Sequence, residues 1–293
     1  MHTRIAAGAE ETLRLWRESR RHLVKRNAGR SSLHSWRLCT RRLLALEVLL
    51  APRAARASPG EFAAALGSAF HAAGRLRDTQ VAIPQLKKLE RRFPEARRLA
   101  RHLQSDVPRQ RKKLTRRVRA LSYQRLRNYM DTWNLPASAR SARNASARAT
   151  RRLASAEEEV IALLRRQPTD RKLHKLRLQL KLIRYMMELC RAMRIGARLR
   201  WSLPAVRRMQ ATLGDVTDMT VLQEIVGKFA SQHESWREKA EGLRRHLATQ
   251  QTRLRHRALL AARVIKPEYA APRLGARSSG VSDGPPLPEH EPQ

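Results

Sequence analysis

Residues 33–37 of this chain read LHSWR and residues 173–177 read LHKLR, so two short stretches nearly repeat each other. Their histidines lie 174 − 34 = 140 positions apart. A second pair of stretches has the same offset: residues 76–81 read LRDTQV, residues 216–221 read VTDMTV, and their aspartates are also 140 positions apart. Two motifs that share one offset predict two structural units, each about half of the chain and built alike.

On an α-helix, the repeated motif places its polar residues on one side and its core-forming residues on the other. The polar rows are His34, Arg37 and Arg41 in the first copy and His174, Arg177, Lys181 and Arg184 in the second. The rows predicted to face a core are Leu33, Trp36, Thr40, Leu43 and Leu50 in the first copy and Leu173, Leu176, Leu180, Ile183 and Met187 in the second. Cations three or four residues apart lie about 5–6 Å from each other along a helix, which suits a linear chain of phosphates.

The composition points to a polyanionic partner. The 293 residues include 62 Lys and Arg against 25 Asp and Glu, which gives a formal net charge of +37. Hydrophobic residues make up 42% of the chain, which is enough to build a core. A compact body with this charge repels itself unless nucleic acid, an anionic membrane or polymeric phosphate neutralises it, so small neutral substrates are disfavoured. Of the 62 cationic residues 51 are Arg, whose planar fork of donors suits phosphate oxygens.

Helical periodicity dominates the chain, because apolar residues recur at spacings of three and four and no sustained alternation predicts strands. We therefore predict an all-α fold. One helical bundle is expected over residues 1–135 and a second over 153–265, joined over 136–152 by an Ala-, Ser- and Arg-rich linker or weakly held helix end. A helix break is expected near Pro108. Residues 266–293 are rich in Pro, Gly and Ser and are predicted to form a disordered tail.

The cysteines and the termini predict a soluble protein of the cytoplasm. Cys39 and Cys190 are the two cysteines of the chain, and both lie in apolar helical stretches that do not resemble a disulfide framework. No run of 18 apolar residues predicts a membrane span, and the N-terminus has no signal-peptide pattern.

No catalytic or metal-binding motif is present in the sequence. The chain has no Walker glycine loop and no Gly-x-Ser-x-Gly, and its histidines do not pair with Cys or carboxylates at metal-ligand spacing. Residues 157–159 read EEE, but they lie at an expected helix start, where the macrodipole favours negative charge. We therefore expect a binding protein without catalytic residues, metal or cofactor.

The repeated motifs resemble those of the CHAD family, the conserved histidine α-helical domain. The first family signature, His-x-x-Arg-x-x-x-Arg-Arg-Leu, is matched by His34, Arg37, Arg41, Arg42 and Leu43. The Arg-Asp-x-x-Val element is matched by Arg77, Asp78 and Val81. The second-half signature, His-x-x-Arg-x-x-x-Lys-x-x-Arg-Tyr, is matched by His174, Arg177, Lys181, Arg184 and Tyr185. The closing Gln-x-x-Leu-Gly-x-x-x-Asp is matched by Gln210, Leu213, Gly214 and Asp218.

This resemblance spans roughly residues 10–264 and implies a fold, a ligand and a location. It implies two four-helix bundles related by pseudo-two-fold symmetry and inorganic polyphosphate bound along the basic groove between them, on polyphosphate granules. The implied binding residues are His34, Arg37, Arg41, Arg42, His174, Arg177, Lys181 and Arg184. The implied supporting residues are Arg77, Asp78, Asp218 and Tyr185. Some relatives carry a fused triphosphate-tunnel hydrolase, whose Glu-x-Glu-x-Lys strand is missing here, so no hydrolytic activity is expected. The sequence departs from the family pattern at Leu44 and Gln80.

Other interpretations of the same residues stay open. A non-specific nucleic-acid binder would have the same net charge, and weak DNA binding is expected in any case. Aromatic residues form only 4% of the chain, which leaves few for base stacking. Each cation row could instead be a solvated helix face. Asp78 and Asp218 either orient arginines for a ligand or form purely structural ion pairs or helix caps.

Overall fold

A computed structural model describes residues 2–25, 28–52, 60–133, 135, 138–165, 169–196 and 200–270. These residues are largely helical and contain no strand, so the predicted all-α class is confirmed. The helices of the first half are α1 (His2–Leu23), α2 (Arg30–Leu50), α3 (Gly60–Leu89), α4 (Ala96–Ala120) and α5 (Tyr123–Asp131). Those of the second half are α6 (Ala139–Arg165), α7 (Asp170–Ala192), α8 (Leu203–Gln232), α9 (Glu234–Lys239) and α10 (Glu241–Ala270).

The larger hydrophobic core is built around α1, α2, α6 and α7. The two helices that carry the repeated His motif, α2 and α7, pack directly against each other. Their predicted core rows are confirmed, since every member from Leu33 to Leu50 and from Leu173 to Met187 is buried. The N-terminal parts of α3 and α8 extend this core.

A smaller core lies where the C-terminal parts of α3 and α8 pack with α4, α9 and α10. Leu86 and Leu99 come from the first half, and Leu222, Trp236 and Leu243 come from the second. Each core therefore draws on both halves of the chain. The pseudo-two-fold relation between the halves stays a prediction.

Side-chain hydrogen bonds cap the N-termini of α7 and α8 in the second half. The Thr169 hydroxyl accepts a hydrogen bond from the Lys172 backbone N–H and begins α7. The Ser202 hydroxyl accepts one from the Ala205 backbone N–H and begins α8, whose first turn also contains Pro204. Side-chain oxygens satisfy amides that the first helical turn leaves without a partner, so these caps define where each helix starts.

The stretch expected to be a linker is largely helical. Residues 139–165 form α6, while residues 136 and 137 of the expected linker lie outside the described residues. Ala142, Ala145 and Ala149 are fully buried in the larger core. These three alanines are spaced three and four residues apart, so they form one core-facing stripe along α6. The low apolar content of the surrounding stretch hid this helical pattern in the sequence.

The predicted helix break at Pro108 and the predicted start of the tail also differ from the structure. Pro108 is exposed within the continuous helix α4, so the predicted break is wrong. Helix α10 continues to Ala270, beyond the expected start of the tail at residue 266. The rest of the predicted tail, residues 271–293, lies outside the described residues.

Candidate polyanion-binding site

A cluster of cations forms where α2 and α7 meet α3 and α8. Arg37 and Arg41 extend from α2, and Arg177 and Lys181 extend from α7. Burial, together with the positive charges of Arg41, Arg177 and Arg37, lowers the pKa of Lys181 to about 7. The structure therefore brings four of the predicted binding residues, from both halves of the chain, within electrostatic reach of one another.

The arginines of this cluster are held partly dehydrated. Burial, with a further contribution from Arg41, lowers the pKa of Arg37 to about 10, although Asp78 opposes the shift. Burial likewise lowers the pKa of Arg177. Nη1 of Arg37 and Nε of Arg177 are buried and have no hydrogen-bond partner among the described residues. Buried donors without an acceptor are costly, so this cluster has unused capacity to bind an anion.

Two carboxylates lie within the same cluster. An Asp218 carboxylate oxygen on α8 is 3.5 Å from Nη2 of Arg177 and orients that guanidinium. Burial raises the pKa of Asp78 on α3, and the nearby charge of Asp218 adds to this, whereas Arg37 opposes it. The charge of Arg77 contributes to the pKa shifts of both Arg37 and Asp78, so Arg77 lies close to these two residues. The predicted supporting residues Arg77, Asp78 and Asp218 therefore lie beside the predicted binding residues.

Two residues that shape the space around the arginines, Phe70 and Gly74, were not identified from the sequence. The Phe70 ring lies 5.0 Å from the guanidinium carbon of Arg37 and 5.5 Å from that of Arg41, which is cation–π geometry. A Cβ atom at Gly74 would lie 3.5 Å from Nη1 of Arg37. At Gly214 it would lie 4.0 Å from Nε of Arg177. The offset 214 − 74 = 140 equals that of the two motifs and would have revealed Gly74.

Arg42 and Arg184 lie around a different carboxylate, that of Glu188 on α7. Glu188 is 3.8 Å from Arg42 on α2, 3.7 Å from Arg184 and 3.0 Å from Arg207 on α8. Its side chain is only 18% exposed. Neither Glu188 nor Arg207 was a candidate from the sequence, because neither belongs to the repeated motif. Both predicted binding arginines thus already have an acidic partner.

The two histidines and Tyr185 have different environments. Burial lowers the pKa of His174, and the positive charges of Arg177 and Lys181 add to this effect. His174 therefore lies within electrostatic reach of the cluster. His34 is exposed on α2 and has no hydrogen bond or ion pair to any other described residue. Tyr185 is 4% exposed, and the Arg184 guanidinium lies 4.4 Å from the centre of its ring. Tyr185 therefore supports Arg184 from within the core.

The sequence also led to expectations about the cysteines, the potential metal ligands and the apolar character of the helices. Cys39 and Cys190 are both buried and free, and burial raises the pKa of Cys190 to about 11. Within the ranges that the structure describes, no group of three His, Cys, Asp or Glu side chains is arranged to hold a metal ion. No described helix combines the length and the apolar character needed to cross a membrane.

Comparison with known proteins places these features in a family context. The family model of the CHAD domain matches residues 7–227. The crystal structure of the CHAD domain from the plant Ricinus communis matches this structure with a TM-score of 0.69 and 19% sequence identity, over 92% of each chain. At this identity the structural likeness shows a shared fold. Comparison with curated proteins gives no significant match.

Proposed function

Because this chain belongs to the CHAD domain family, we propose that it binds inorganic polyphosphate through the cation cluster between α2 and α7. Arg37, Arg41, Arg177 and Lys181 donate charge-assisted hydrogen bonds to phosphate oxygens. His174 adds a donor at the edge of the cluster, and exposed His34 contacts the chain of phosphates where it continues along α2. The family resemblance supports this proposal, because it implies polyphosphate as the ligand.

The observation that carries this proposal is the excess of dehydrated cations in one place. The four cations of the cluster, with Arg77 beside them, outnumber the two carboxylates Asp78 and Asp218, and buried donors of Arg37 and Arg177 lack an acceptor in the described structure. A linear polyanion supplies both the missing charge and the missing acceptors. Polyphosphate has no bases to stack, so the site needs no exposed aromatic platform, unlike typical single-stranded nucleic-acid sites.

Arg42 and Arg184 extend the proposed site toward Glu188. In the ligand-free protein their guanidinium groups contact that carboxylate at 3.8 Å and 3.7 Å. A phosphate chain long enough to reach them competes with Glu188 for their donors. These two arginines therefore strengthen binding less than the four cations of the central cluster do.

We propose that the protein binds polyphosphate without turning it over and is located on polyphosphate granules in the cytoplasm. The direct check is incubation of the protein with long-chain polyphosphate, with and without Mg²⁺, and measurement of released orthophosphate. We expect no release above the protein-free rate. Release that depends on protein concentration would show that the protein is an enzyme.

Binding is tested by titrating the full chain with long-chain polyphosphate and with duplex DNA at matched phosphate concentration, at about 0.15 M salt. The test variant is Arg37→Gln/Arg177→Gln. The matched control is Arg98→Gln/Arg101→Gln, which removes the same charge from exposed positions of α4. Circular dichroism checks that both variants keep the helical content of the wild type.

We expect polyphosphate to bind more tightly than DNA and the test variant to lose about tenfold or more in polyphosphate affinity, since each lost charged hydrogen bond costs about 1.5–3 kcal/mol. The control variant should lose less than about threefold, because exposed charges are screened. Equal losses in the two variants, or DNA binding as tight as polyphosphate binding, would instead favour non-specific polyanion binding by net charge.

A further inference from the structure

A basic cavity lies apart from the central cluster, and none of its lining residues belongs to the repeated His motifs. Its volume is about 440 Å³, and its walls come from the connection between α3 and α4 and from α10. Arg92 and Phe93 form one wall, and Arg245, His246 and Arg253 form the other. Most of the lining belongs to α10, which follows the region that the CHAD family model matches.

Nearby carboxylates balance only part of the charge of this cavity. Within the part of the chain that the structure describes, Arg92 and Arg253 form no ion pair. Arg245 has only a long contact, 3.8 Å from Nε to Glu241, and its side chain is 78% exposed. Arg92 and Arg253 both act on the His246 ring, whose pKa is lowered by burial and then by these two charges. Arg92 on one wall and Arg253 on the other therefore both lie within electrostatic reach of the His246 ring.

Aromatic contacts hold the two walls in place. The centres of the Phe93 and His246 rings are 5.2 Å apart, and the Arg92 guanidinium carbon is 5.4 Å from the centre of the Phe93 ring. The Phe93 backbone N–H donates a hydrogen bond to the Leu89 carbonyl, which fixes the turn that carries it. A Cβ atom at Gly242 would lie 3.5 Å from the Phe93 ring, so the backbone of α10 comes close to it. The two walls and Arg92 are thus positioned before any ligand arrives, which lowers the entropy cost of binding.

We propose that this cavity is a binding site for a compact oligophosphate, carried either by tripolyphosphate or by a nucleoside triphosphate. Three guanidinium groups around one cavity match the charge and the bidentate geometry of neighbouring phosphoryl groups. The volume falls within the range of about 300–1,000 Å³ that is typical of small-molecule sites. The residues involved are distinct from those of the central cluster, so this site does not depend on polyphosphate binding there.

The test follows the His246 ring by NMR of histidine-labelled full-length protein, assigned with a His246→Asn variant. Tripolyphosphate, ATP and adenosine are titrated separately. We expect saturable shifts of the His246 signal with tripolyphosphate and with ATP, and none with adenosine. An ATP affinity at least about tenfold higher than that of tripolyphosphate would identify a nucleoside phosphate as the ligand, because only ATP adds a base. Equal affinities would identify the phosphate chain alone.

The variant Arg92→Gln/Arg253→Gln should weaken the His246 response about tenfold or more, since it removes two charged donors. Arg98→Gln/Arg101→Gln removes equal charge outside the cavity and should leave the response within about threefold of the wild type. The His174 signal reports the central cluster in the same titration, so failure at one site is distinguishable from failure at the other. An unchanged His246 signal, an equal response to adenosine, or full retention of binding in the Arg92/Arg253 variant would overturn the proposal.

Discussion

The Arg42 guanidinium of α2 lies 3.8 Å from the Glu188 carboxylate of α7, so an ion pair joins the two halves of the chain. The same carboxylate contacts Arg184 and Arg207. One largely buried acid thus restrains three arginines beside the proposed polyphosphate site. Removal of its charge should affect ligand binding and stability in opposite directions.

Glu188→Gln should bind polyphosphate more tightly than the wild type, by about 3–10-fold at moderate salt, because three arginines lose a competing anion. The ligand-free variant should unfold at a lower temperature, because the same arginines then repel one another without compensation. Fluorescence or calorimetric titration gives the affinity, and thermal denaturation gives the stability. Glu234→Gln, which removes an exposed acid of α9, is the control and should change neither quantity appreciably. Weaker polyphosphate binding by Glu188→Gln would contradict the competition.

Polyphosphate affinity should fall as pH rises through about 7, the pKa to which burial and neighbouring arginines lower Lys181. The ligand-free protein loses the Lys181 proton above this pH, whereas a bound polyanion raises the pKa again. Binding above about pH 7 therefore takes up a proton, which must weaken it as pH increases. Titrations from about pH 6 to about pH 9, with calorimetry in two buffers of different ionisation enthalpy, measure this uptake.

Lys181→Arg is the matched control for the pH dependence, because arginine keeps its charge throughout this range. Its affinity should vary less with pH than that of the wild type above about pH 7. His174 lies beside Lys181 and also binds a proton, so His174→Gln separates its contribution at lower pH. An unchanged pH profile in Lys181→Arg would show that another group controls the proton uptake.

Gly74→Leu should weaken polyphosphate binding without removing any charge. The Cβ atom alone would lie 3.5 Å from Nη1 of Arg37, so the larger leucine side chain must displace that guanidinium. We expect a loss of about 5–10-fold, less than the full loss of one charge-assisted hydrogen bond, because the guanidinium is displaced and not removed. Gly67→Leu lies on the same helix with no atom within 4 Å of its Cβ position and should bind as the wild type does. Equal affinities for the two variants would show that the space around Arg37 is unimportant.

Gly8→Ala should destabilise the protein even though alanine favours helices. The new Cβ would lie 2.5 Å from Cγ of the fully buried Met193, so the junction between α1 and the end of α7 is overpacked. Overpacking costs about 1–3 kcal/mol, more than the helix propensity returns. Gly67→Ala, where the space is open, should be stabilised by about 0.5–1 kcal/mol. Urea denaturation of the two variants gives both signs, and a stabilised Gly8→Ala would contradict the close contact.

Much of the fold followed from spacing along the chain. The rows predicted to face the core, from Leu33 to Leu50 on α2 and from Leu173 to Met187 on α7, are buried as expected. Composition was a weaker guide than periodicity. Ala142, Ala145 and Ala149 lie in the stretch predicted to be a linker or a weakly held helix end, because alanine contributes little to apparent hydrophobicity, yet their small side chains allow close helix packing in the core.

The candidate site was predictable in part for the same reason. The repeated motif selected Arg37, Arg41, Arg177 and Lys181, which the structure brings together. It gave no indication of Phe70 or Glu188, because the ring and the carboxylate meet the arginines only through packing.

Local pattern was sufficient to establish the helical class, the duplicated motifs and the cationic faces, because periodicity and charge are properties of short segments. Tertiary packing decided which charges share an environment. It placed Lys181 of α7 beside Arg37 and Arg41 of α2, and it gave Arg42 an acidic partner but left His34 exposed. These differences arise from dehydration and Coulomb interactions between residues more than a hundred positions apart, which depend on distances in space and not on spacing along the chain.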